Sequence, residues 1–129
     1  MNPTIKHLDY TYKKTRHDIW VLNTSDIPVS NESIHDIQLV HLAPESVGGN
    51  HKHPRTEWFI GIGDLLFIWL DDEGNTHQEH MHPDGQIILI TVPPYLPHAV
   101  ANVSPDKVGI LYEMADGKMK DVEAVKVYE

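Results

Sequence analysis

The segment from His51 to Glu57 has the residue types and spacing of a metal-ligand set. Side chains two residues apart on a β-strand point to the same face, so His51 and His53 are expected to converge on one point. Pro54 cannot donate to a β-ladder and is expected to end the strand and turn the chain. Glu57 would then begin the returning strand and reach back beside the two histidines.

A fourth candidate ligand, His98, follows a proline-rich stretch at residues 92–97. Three imidazoles and one carboxylate suit one divalent transition metal ion, and zinc, iron, nickel and manganese all accept such ligands. The alternative is that the His-x-His pair arises from composition, since 10 of the 129 residues are histidine. Glu57, the proline-bounded His98 and the neighbouring glycines favour a real site.

Length and composition limit the class of protein. A chain of 129 residues suits one domain with a proper core. No apolar run is long enough to cross a bilayer, and residues 1–6 lack the apolar segment of a secretory signal. Cysteine is absent, which removes disulfides, cysteine-based zinc sites and thiol nucleophiles. Together these features predict a cytoplasmic protein.

The charge of the chain limits its partners. The formal net charge is −9 with neutral histidines. Such a field repels nucleic acids and anionic lipids, so neither a nucleic acid nor a membrane is expected as a partner. A small-molecule ligand is expected instead.

Short apolar or alternating segments, separated by turn signals, fill the chain. They predict eight to ten strands and no convincing helix, with residues 44–50 as a loop that leads into the His-x-His strand. Many short strands at regular intervals indicate an all-β sandwich or barrel.

The other histidines carry weaker signals. His41 lies on an alternating strand of which either face could point inward, and a lone histidine there is more often packed or exposed than a ligand. His80 and His82 form a second His-x-His pair, but no partner carboxylate follows it, which favours a polar strand edge over a second metal site. The candidates for acid–base catalysis are His41, His77 and Tyr95.

Two stretches resemble the motifs of a small single-domain cupin, whose fold is a double-stranded β-helix or jelly-roll barrel. The first runs from Gly48 through His51, His53 and Glu57 to Gly63. The second runs from Gly85 through Pro93 to His98 and Asn102. The resemblance implies that His51, His53, Glu57 and His98 are the metal ligands. Tyr95 departs from the family pattern because glycine is usual at that position.

The resemblance also implies the domain organisation. Residues 1–129 form one cupin domain, with 1–35 as an N-terminal arm and first strands, 36–115 as the barrel core, and 116–129 as a C-terminal strand or tail. The habit of the family and the strand-like ends of the chain predict a homodimer with a small-molecule ligand in the barrel.

Three classes of function follow from the resemblance, because one fold hosts many reactions. The first and slightly favoured class is an isomerase or epimerase acting on a carbohydrate or sugar derivative, since residues 93–102 are similar to cupins that modify sugars in polysaccharide assembly. The second is a metal-dependent dioxygenase with an apolar pocket lined by Trp58, Phe59, Phe67 and Trp69. The third is a non-catalytic cupin that binds a small molecule.

Overall fold

The structure is a computed structural model that describes residues 1–14 and 18–129, so residues 15–17 of the predicted N-terminal arm lie outside the described part. The described residues form twelve β-strands and three short 3-10 turns. The strands are β1 (Thr4–Leu8), β2 (Tyr12–Lys14), β3 (Ile19–Val21), β4 (Asp36–Leu42), β5 (Val47–Lys52), β6 (Glu57–Ile62), β7 (Leu65–Leu70), β8 (Thr76–His80), β9 (Ile87–Val92), β10 (His98–Asn102), β11 (Gly109–Ala115) and β12 (Glu123–Ala124). The turns are Thr24–Asp26, Asn31–Ser33 and Pro83–Gly85.

Ten of the strands form two five-stranded sheets. The first sheet has the order β1-β9-β6-β11-β4, and the second has the order β12-β5-β10-β7-β8. Every pairing is antiparallel, and most neighbours in a sheet are distant in the sequence. This connectivity makes the chain a jelly roll, and the predicted all-β class is confirmed. Among the described residues, no helix is long and apolar enough to cross a membrane.

The main core lies between the two sheets. Its members come from alternate positions of facing strands, as expected where one face of each sheet is covered. The buried members are Leu42, Phe59, Leu65, Phe67, Trp69, Met81, Ile88, Ile90, Val92, Leu96, Val100 and Leu111. Burial of each large side chain contributes about 1.5–3 kcal/mol, so this cluster holds the sheets together.

The outer faces of the sheets are also partly covered, which explains the continuous apolar runs of β7 and β9. On the second sheet, Ile68 and Ala99 pack against Val127 of the C-terminal segment. On the first sheet, Ile87 and Leu89 pack against Ile27 of the segment that precedes β4. Because both faces are covered, these strands contain few polar side chains.

The predicted loop at residues 44–50 is wrong in its second half, because β5 already begins at Val47. The glycines conceal the strand because they lack the β-branched and aromatic side chains that mark one. Gly49 and Asn50 have φ angles of +88° and +55°, and the β5–β10 register shifts between His98 and Ala99. The strand count exceeds the predicted eight to ten because β2 and β12 are too short to show a pattern.

Candidate metal centre and cavity

Three strands bring the four predicted ligands together. His51 lies near the end of β5, His53 follows that strand, Glu57 begins β6 and His98 begins β10. The centroids of the three imidazole rings are 4.9 to 5.1 Å apart. One nitrogen from each ring lies within 4.8 Å of the others, a spacing that suits one metal ion.

Glu57 lies against this histidine cluster. Its Oε1 atom is 2.9 Å from His53 Nε2 and 3.2 Å from His98 Nε2. His53 and His98 are each 2% exposed and Glu57 is 1% exposed. The four residues therefore form a compact and largely dry group at the centre of the fold.

Several polar atoms of this group are buried without a hydrogen-bond partner among the described residues. They are Nδ1 of His53, together with Nε2 of His53 and Oε1 of Glu57, which lie 2.9 Å apart without the alignment of a hydrogen bond. A buried polar atom left unpaired costs about 1–3 kcal/mol, so such a cluster is unfavourable by itself. A cation bound between the imidazoles and the carboxylate would satisfy Oε1 and Nε2, so the residues present fit a divalent metal ion.

The orientation of the His98 ring supports the same conclusion. Its Nδ1 atom lies 2.8 Å from the carbonyl oxygen of Leu96. A carbonyl can only accept, so Nδ1 donates its hydrogen to Leu96. Nε2 is therefore the ring nitrogen that faces Glu57 Oε1, at 3.2 Å, where both atoms could bind one cation. A ring nitrogen that donates to a backbone carbonyl is also the usual outer contact of a metal-binding histidine.

The charge states of the cluster match those that a metal requires. Burial, then His98 and His53, lower the pKa of His51 to about 4, so this imidazole is neutral near pH 7. Burial alone would raise the pKa of Glu57, but its close contacts with His53 and His98 lower it far below the usual range. A neutral imidazole and an ionised carboxylate are the ligand forms that bind metals.

Gly49 allows β5 to approach β10 closely beside the cluster. A Cβ atom at this position would lie 2.9 Å from the carbonyl oxygen of His98 and 3.1 Å from the Cα of Ala99. The φ angle of Gly49 is +88°, which side chains rarely adopt. A side chain here would therefore push apart the strands that carry His51 and His98.

We expect Gly49→Ala to lower the free energy of unfolding by about 1–3 kcal/mol and to weaken metal binding, because backbone strain and the clash with His98 act together. Urea unfolding and metal titration would measure the two effects. Gly48→Ala is the matched control, since a Cβ atom at Gly48 meets nothing within 4 Å. Equal behaviour of the two variants would show that the close approach does not matter.

A buried guanidinium holds Glu57 in place. Arg55 donates from Nε and Nη2 to Glu57 Oε2, at 3.1 and 2.6 Å. The same group donates to Asp36 at 3.1 Å, to Glu113 at 2.8 Å and to the Gly117 carbonyl at 2.9 Å. Because Oε2 of Glu57 is fully engaged by Arg55, the other oxygen, Oε1, is the one that faces the histidines.

Glu113 is a site residue that the sequence reasoning missed. It lies on β11 and points to the same side as Leu111, into the space between the sheets. Burial and the neighbouring Glu57 raise the pKa of Glu113 to about 8, so it holds a proton near pH 7. Two features of the sequence could have indicated it. Glu113 lies two residues after Leu111, so both side chains point to the inner face of one strand. An arginine that could pair with it follows the His-x-His pair.

A cavity of about 430 Å³ opens onto the cluster. His51, Glu57 and His98 lie at its inner end, while His53 is buried behind them. Two polar side chains, Gln38 and Glu113, also line the cavity. Its apolar wall consists mainly of Val40, Leu42, Phe59, Val100 and Leu111. Val47 and Met119 lie at its rim.

The three candidate acid–base residues do not gather at this inner end. His41 borders the cavity, but the alternation of β4 places its side chain opposite to Val40 and Leu42, on the outer face of the sheet. His77 is exposed, stacks on Trp69 and lies 2.7 Å from Asp71. Tyr95 is 54% exposed. Their catalytic roles stay predictions and gain no support from these positions.

The second His-x-His pair has local partners instead of a shared focus. His80 Nε2 lies 2.9 Å from Asp64, and His82 Nδ1 accepts a hydrogen bond from the Gly63 amide at 3.1 Å. Within the described residues, only His51, His53 and His98 form a group of metal-ligand spacing. This arrangement agrees with the expected polar strand edge.

The four aromatic residues expected around an apolar pocket are divided. Phe59 lines the cavity, and its ring lies 5.9 Å from that of His98. Phe67 and Trp69 are in the core beneath it, stacked at 5.6 Å. Trp58 belongs to the apolar cluster on the outer face of the first sheet. One of the four therefore contacts the cavity.

No protein-family model and no curated protein matches this sequence. Solved structures do match its fold. A dTDP sugar isomerase from Desulfovibrio desulfuricans has a TM-score of 0.73 and 14% identity, with 95% of this chain and 84% of that chain covered. A point mutant of the 3,4-ketoisomerase QdtA from Thermoanaerobacterium thermosaccharolyticum, in complex with TDP-4-keto-6-deoxyglucose, has a TM-score of 0.67 and 10% identity, with coverage of 93% and 83%.

A third similar structure is the capsular polysaccharide assembling protein CapF from Staphylococcus aureus, with a TM-score of 0.62 and 14% identity. The match covers 70% of this chain and 27% of CapF, so the chain corresponds to a small part of that protein. At these identities the likeness concerns the fold alone. The chain has the cupin-type jelly-roll fold that sugar ketoisomerases also use.

Proposed function

We propose that this protein is a metal-binding cupin that isomerises or epimerises a carbohydrate by moving a proton at a carbon next to a carbonyl group. The observation that carries the proposal is the buried cluster of His51, His53, His98 and Glu57 at the inner end of a cavity. The fold shared with sugar ketoisomerases supports the choice of reaction.

In this proposal the four residues hold one divalent ion, and zinc, iron, nickel and manganese all suit the ligands. The ion would polarise the carbonyl oxygen of the substrate and so make the neighbouring C–H group more acidic. Arg55 holds Oε2 of Glu57, so that Oε1 faces the histidines. The walls of the cavity exclude bulk water from the reacting atoms.

Glu113 is the residue that we propose to carry the proton. It lines the cavity, and Arg55 holds it through Oε1. Its carboxyl group is also close enough to Glu57 to share a hydrogen bond with it. The protonated carboxyl group at this position could give its proton to one atom of the substrate, and the carboxylate so formed could then take a proton from another.

The experiment is solvent deuterium exchange. Metal-loaded protein would be mixed in D₂O with TDP-4-keto-6-deoxyglucose or with the methyl glycoside of the same 4-keto sugar. We expect deuterium to enter at a carbon next to the carbonyl of at least one substrate, and mass spectrometry or NMR would detect it. The Glu113→Gln variant should lose at least about 100-fold in rate, since a missing acid–base group costs 10²–10⁴-fold. No exchange above the protein-free rate with either sugar would contradict the proposal.

A second candidate function has one observation in its favour. Phe59, Val100 and Leu111 make a large part of the cavity wall apolar. Such a wall suits an apolar substrate, as a metal-dependent dioxygenase would require. An oxygen electrode separates the two functions, because isomerisation consumes no oxygen. Stabilisation by a sugar with neither exchange nor oxygen uptake would point to a non-catalytic binding protein.

We also infer a homodimer in the cytoplasm. The C-terminal end of the chain was expected to support the dimer. Its strand β12 instead pairs with β5 of the same chain. Support comes instead from β4, an edge strand whose Leu39 side chain is 73% exposed and whose Ile37 is 56% exposed. Exposed apolar residues on an open sheet edge favour pairing with a second copy. Light scattering should give twice the 14.7 kDa mass of the chain.

A further inference from the structure

We infer that Asn50 is a positioning residue that couples docking of the C-terminal segment to the metal centre, because its side chain holds that segment while its backbone directs His51. The C-terminal segment is residues 123–128. The inference rests on the proposed function, since it assigns a further residue to the same metal centre. It concerns the side of the second sheet that faces away from the cavity.

Asn50 is the extra residue of a bulge in β5. His98 on β10 pairs with His51. The next residue of β10, Ala99, pairs with Gly49, so Asn50 has no partner there. The φ angle of Asn50 is +55°, in the left-handed region that asparagine tolerates better than most residues. A bulge redirects the side chains beside it, and the neighbour in this case is the metal ligand His51.

Asn50 makes four hydrogen bonds to the C-terminal segment. Its Oδ1 atom accepts from the amides of Val127 and Tyr128, at 3.0 and 2.8 Å. Its Nδ2 atom donates to the Tyr128 carbonyl at 2.9 Å, and its own backbone carbonyl accepts from the Val125 amide at 2.9 Å. Both polar atoms of the side chain are therefore bonded to this segment.

The C-terminal segment also supports β5 and β10 directly. Ala124 of β12 pairs with His51, and Val127 packs against Ile68 and Ala99 on the outer face of the second sheet. If this segment left, β5 would become an edge strand, because β12 is its outer neighbour. The bulge at Asn50 would then lie on an open edge with no side-chain contact to hold it.

His51 is the ligand whose position depends most on this support. His53 and His98 are each 2% exposed, whereas His51 is half-buried and lines the cavity. The His98 ring is also fixed by its hydrogen bond to the Leu96 carbonyl. The backbone of β5 therefore determines where the His51 imidazole lies.

Docking and metal binding should be linked in both directions. A docked C-terminal segment holds the bulge and keeps His51 in the cluster, so it favours metal binding. A metal ion bound to His51 must favour the docked segment by the same factor, because coupling between two binding events is reciprocal.

The first test measures metal affinity, with zinc as the probe and a coloured chelator as the competitor. Asn50→Gly removes the side chain and still allows the left-handed backbone. We expect this variant to bind zinc at least about tenfold more weakly, since loss of a contact that orients a ligand costs about 10–100-fold.

Ser104→Ala is the matched control for Asn50→Gly. The Ser104 hydroxyl also accepts from two backbone amides, those of Asp106 and Lys107, at 3.4 and 3.0 Å. It lies in the turn that follows β10, six residues from His98. The zinc affinity of this variant should equal that of the wild-type protein.

The second test measures hydrogen exchange of the amides by NMR. Zinc should slow exchange of the Val127 and Tyr128 amides of the wild-type protein by about tenfold, the same factor as the change in affinity. The Asp106 and Lys107 amides, which the control hydroxyl holds, should be unaffected. In Asn50→Gly, zinc should no longer slow the Val127 and Tyr128 amides.

The third test uses the metal-free protein and reports the position of His51 itself. The His51 and His98 ring centroids are 4.9 Å apart, and those of His53 and His98 are 5.1 Å apart. Nuclear Overhauser effects between ring protons would detect both contacts. We expect Asn50→Gly to lose the contact between His51 and His98 and to keep the one between His53 and His98.

These results separate the inference from the proposed function. Wild-type zinc affinity in Asn50→Gly, or zinc that leaves the Val127 and Tyr128 amides of the wild-type protein unchanged, would overturn the inference and leave the metal centre standing. Wild-type protein that binds no metal would contradict the proposed function. Loss of the contact between His51 and His98 in metal-free Asn50→Gly would then still support the inference, and its persistence would overturn it.

Discussion

Replacing Arg55 by methionine should lower the free energy of unfolding by about 3–5 kcal/mol, because removal of one partner leaves buried charges without compensation. The guanidinium is bonded to Asp36, Glu57 and Glu113, and the Arg55 side chain is only 5% exposed. Methionine fills similar space but offers no donor. Equilibrium unfolding in urea, followed by circular dichroism and tryptophan fluorescence, would measure the loss.

Lys52→Met is the matched control for this prediction. Lys52 is a cation three residues away on the same segment, and its contact with Glu123 is 3.8 Å long and largely exposed. Such surface pairs contribute at most about 1 kcal/mol. If the two variants lost the same stability, the Arg55 network would be no more than a surface ion pair in energetic terms.

Replacing His53 by alanine should weaken metal binding by at least about 100-fold. This estimate is conservative, because loss of an outer-shell contact alone already costs 10–100-fold. The strands should remain, since the backbone hydrogen bond from Tyr95 to His53 is kept in the variant and the ring nitrogens of His53 make no hydrogen bond to the described residues. Competition with a coloured chelator would give the affinity, and far-ultraviolet circular dichroism would report the strand content.

His80→Ala is the appropriate control, because it makes the same substitution in the other His-x-His pair. His80 lies beside Asp64 and outside the cluster. We expect the metal affinity of this variant to equal that of the wild-type protein. Loss of metal from His80→Ala, or full retention by His53→Ala, would move the site away from the cluster that we describe.

The clustering of the three histidines and Glu57 could be predicted from the sequence because its geometry is mostly local. His51 and His53 are two residues apart, and the turn at Pro54 returns the chain so that Glu57 begins the next strand. His98 is distant in the sequence, but the prolines that precede it mark the start of a strand. Spacing and turn chemistry were therefore enough to select these four residues.

The Arg55 network could not be predicted, because it depends on the register between distant strands. Glu113 is 58 residues from Arg55 and Asp36 is 19 residues away. The sequence shows that such charges exist, but only the order of strands β6, β11 and β4 brings them together. Buried charges are also rare, so a glutamate on a strand is ordinarily interpreted as exposed.

The sequence also could not determine which face of an alternating strand points into the core. In β4, a shift of one residue exchanges the inward and outward sets, and the pattern allowed both. The structure points Val40 and Leu42 inward, which leaves His41 on the outer side. The apolar residues of that outer face, Ile37 and Leu39, made both phases plausible. They are exposed in the isolated chain, and a second copy would cover them in the proposed dimer.

The most direct test of the metal centre is elemental analysis of untagged wild-type protein and of Glu57→Ala, reported as metal per chain. We expect about one equivalent of a divalent transition metal in the wild-type protein and a large loss in the variant, because Glu57 Oε1 completes the ligand set. Iron would strengthen the case for oxygen chemistry, whereas zinc, nickel or manganese would agree with isomerisation. Wild-type protein that binds no metal, even after incubation with each of these ions, would contradict the account.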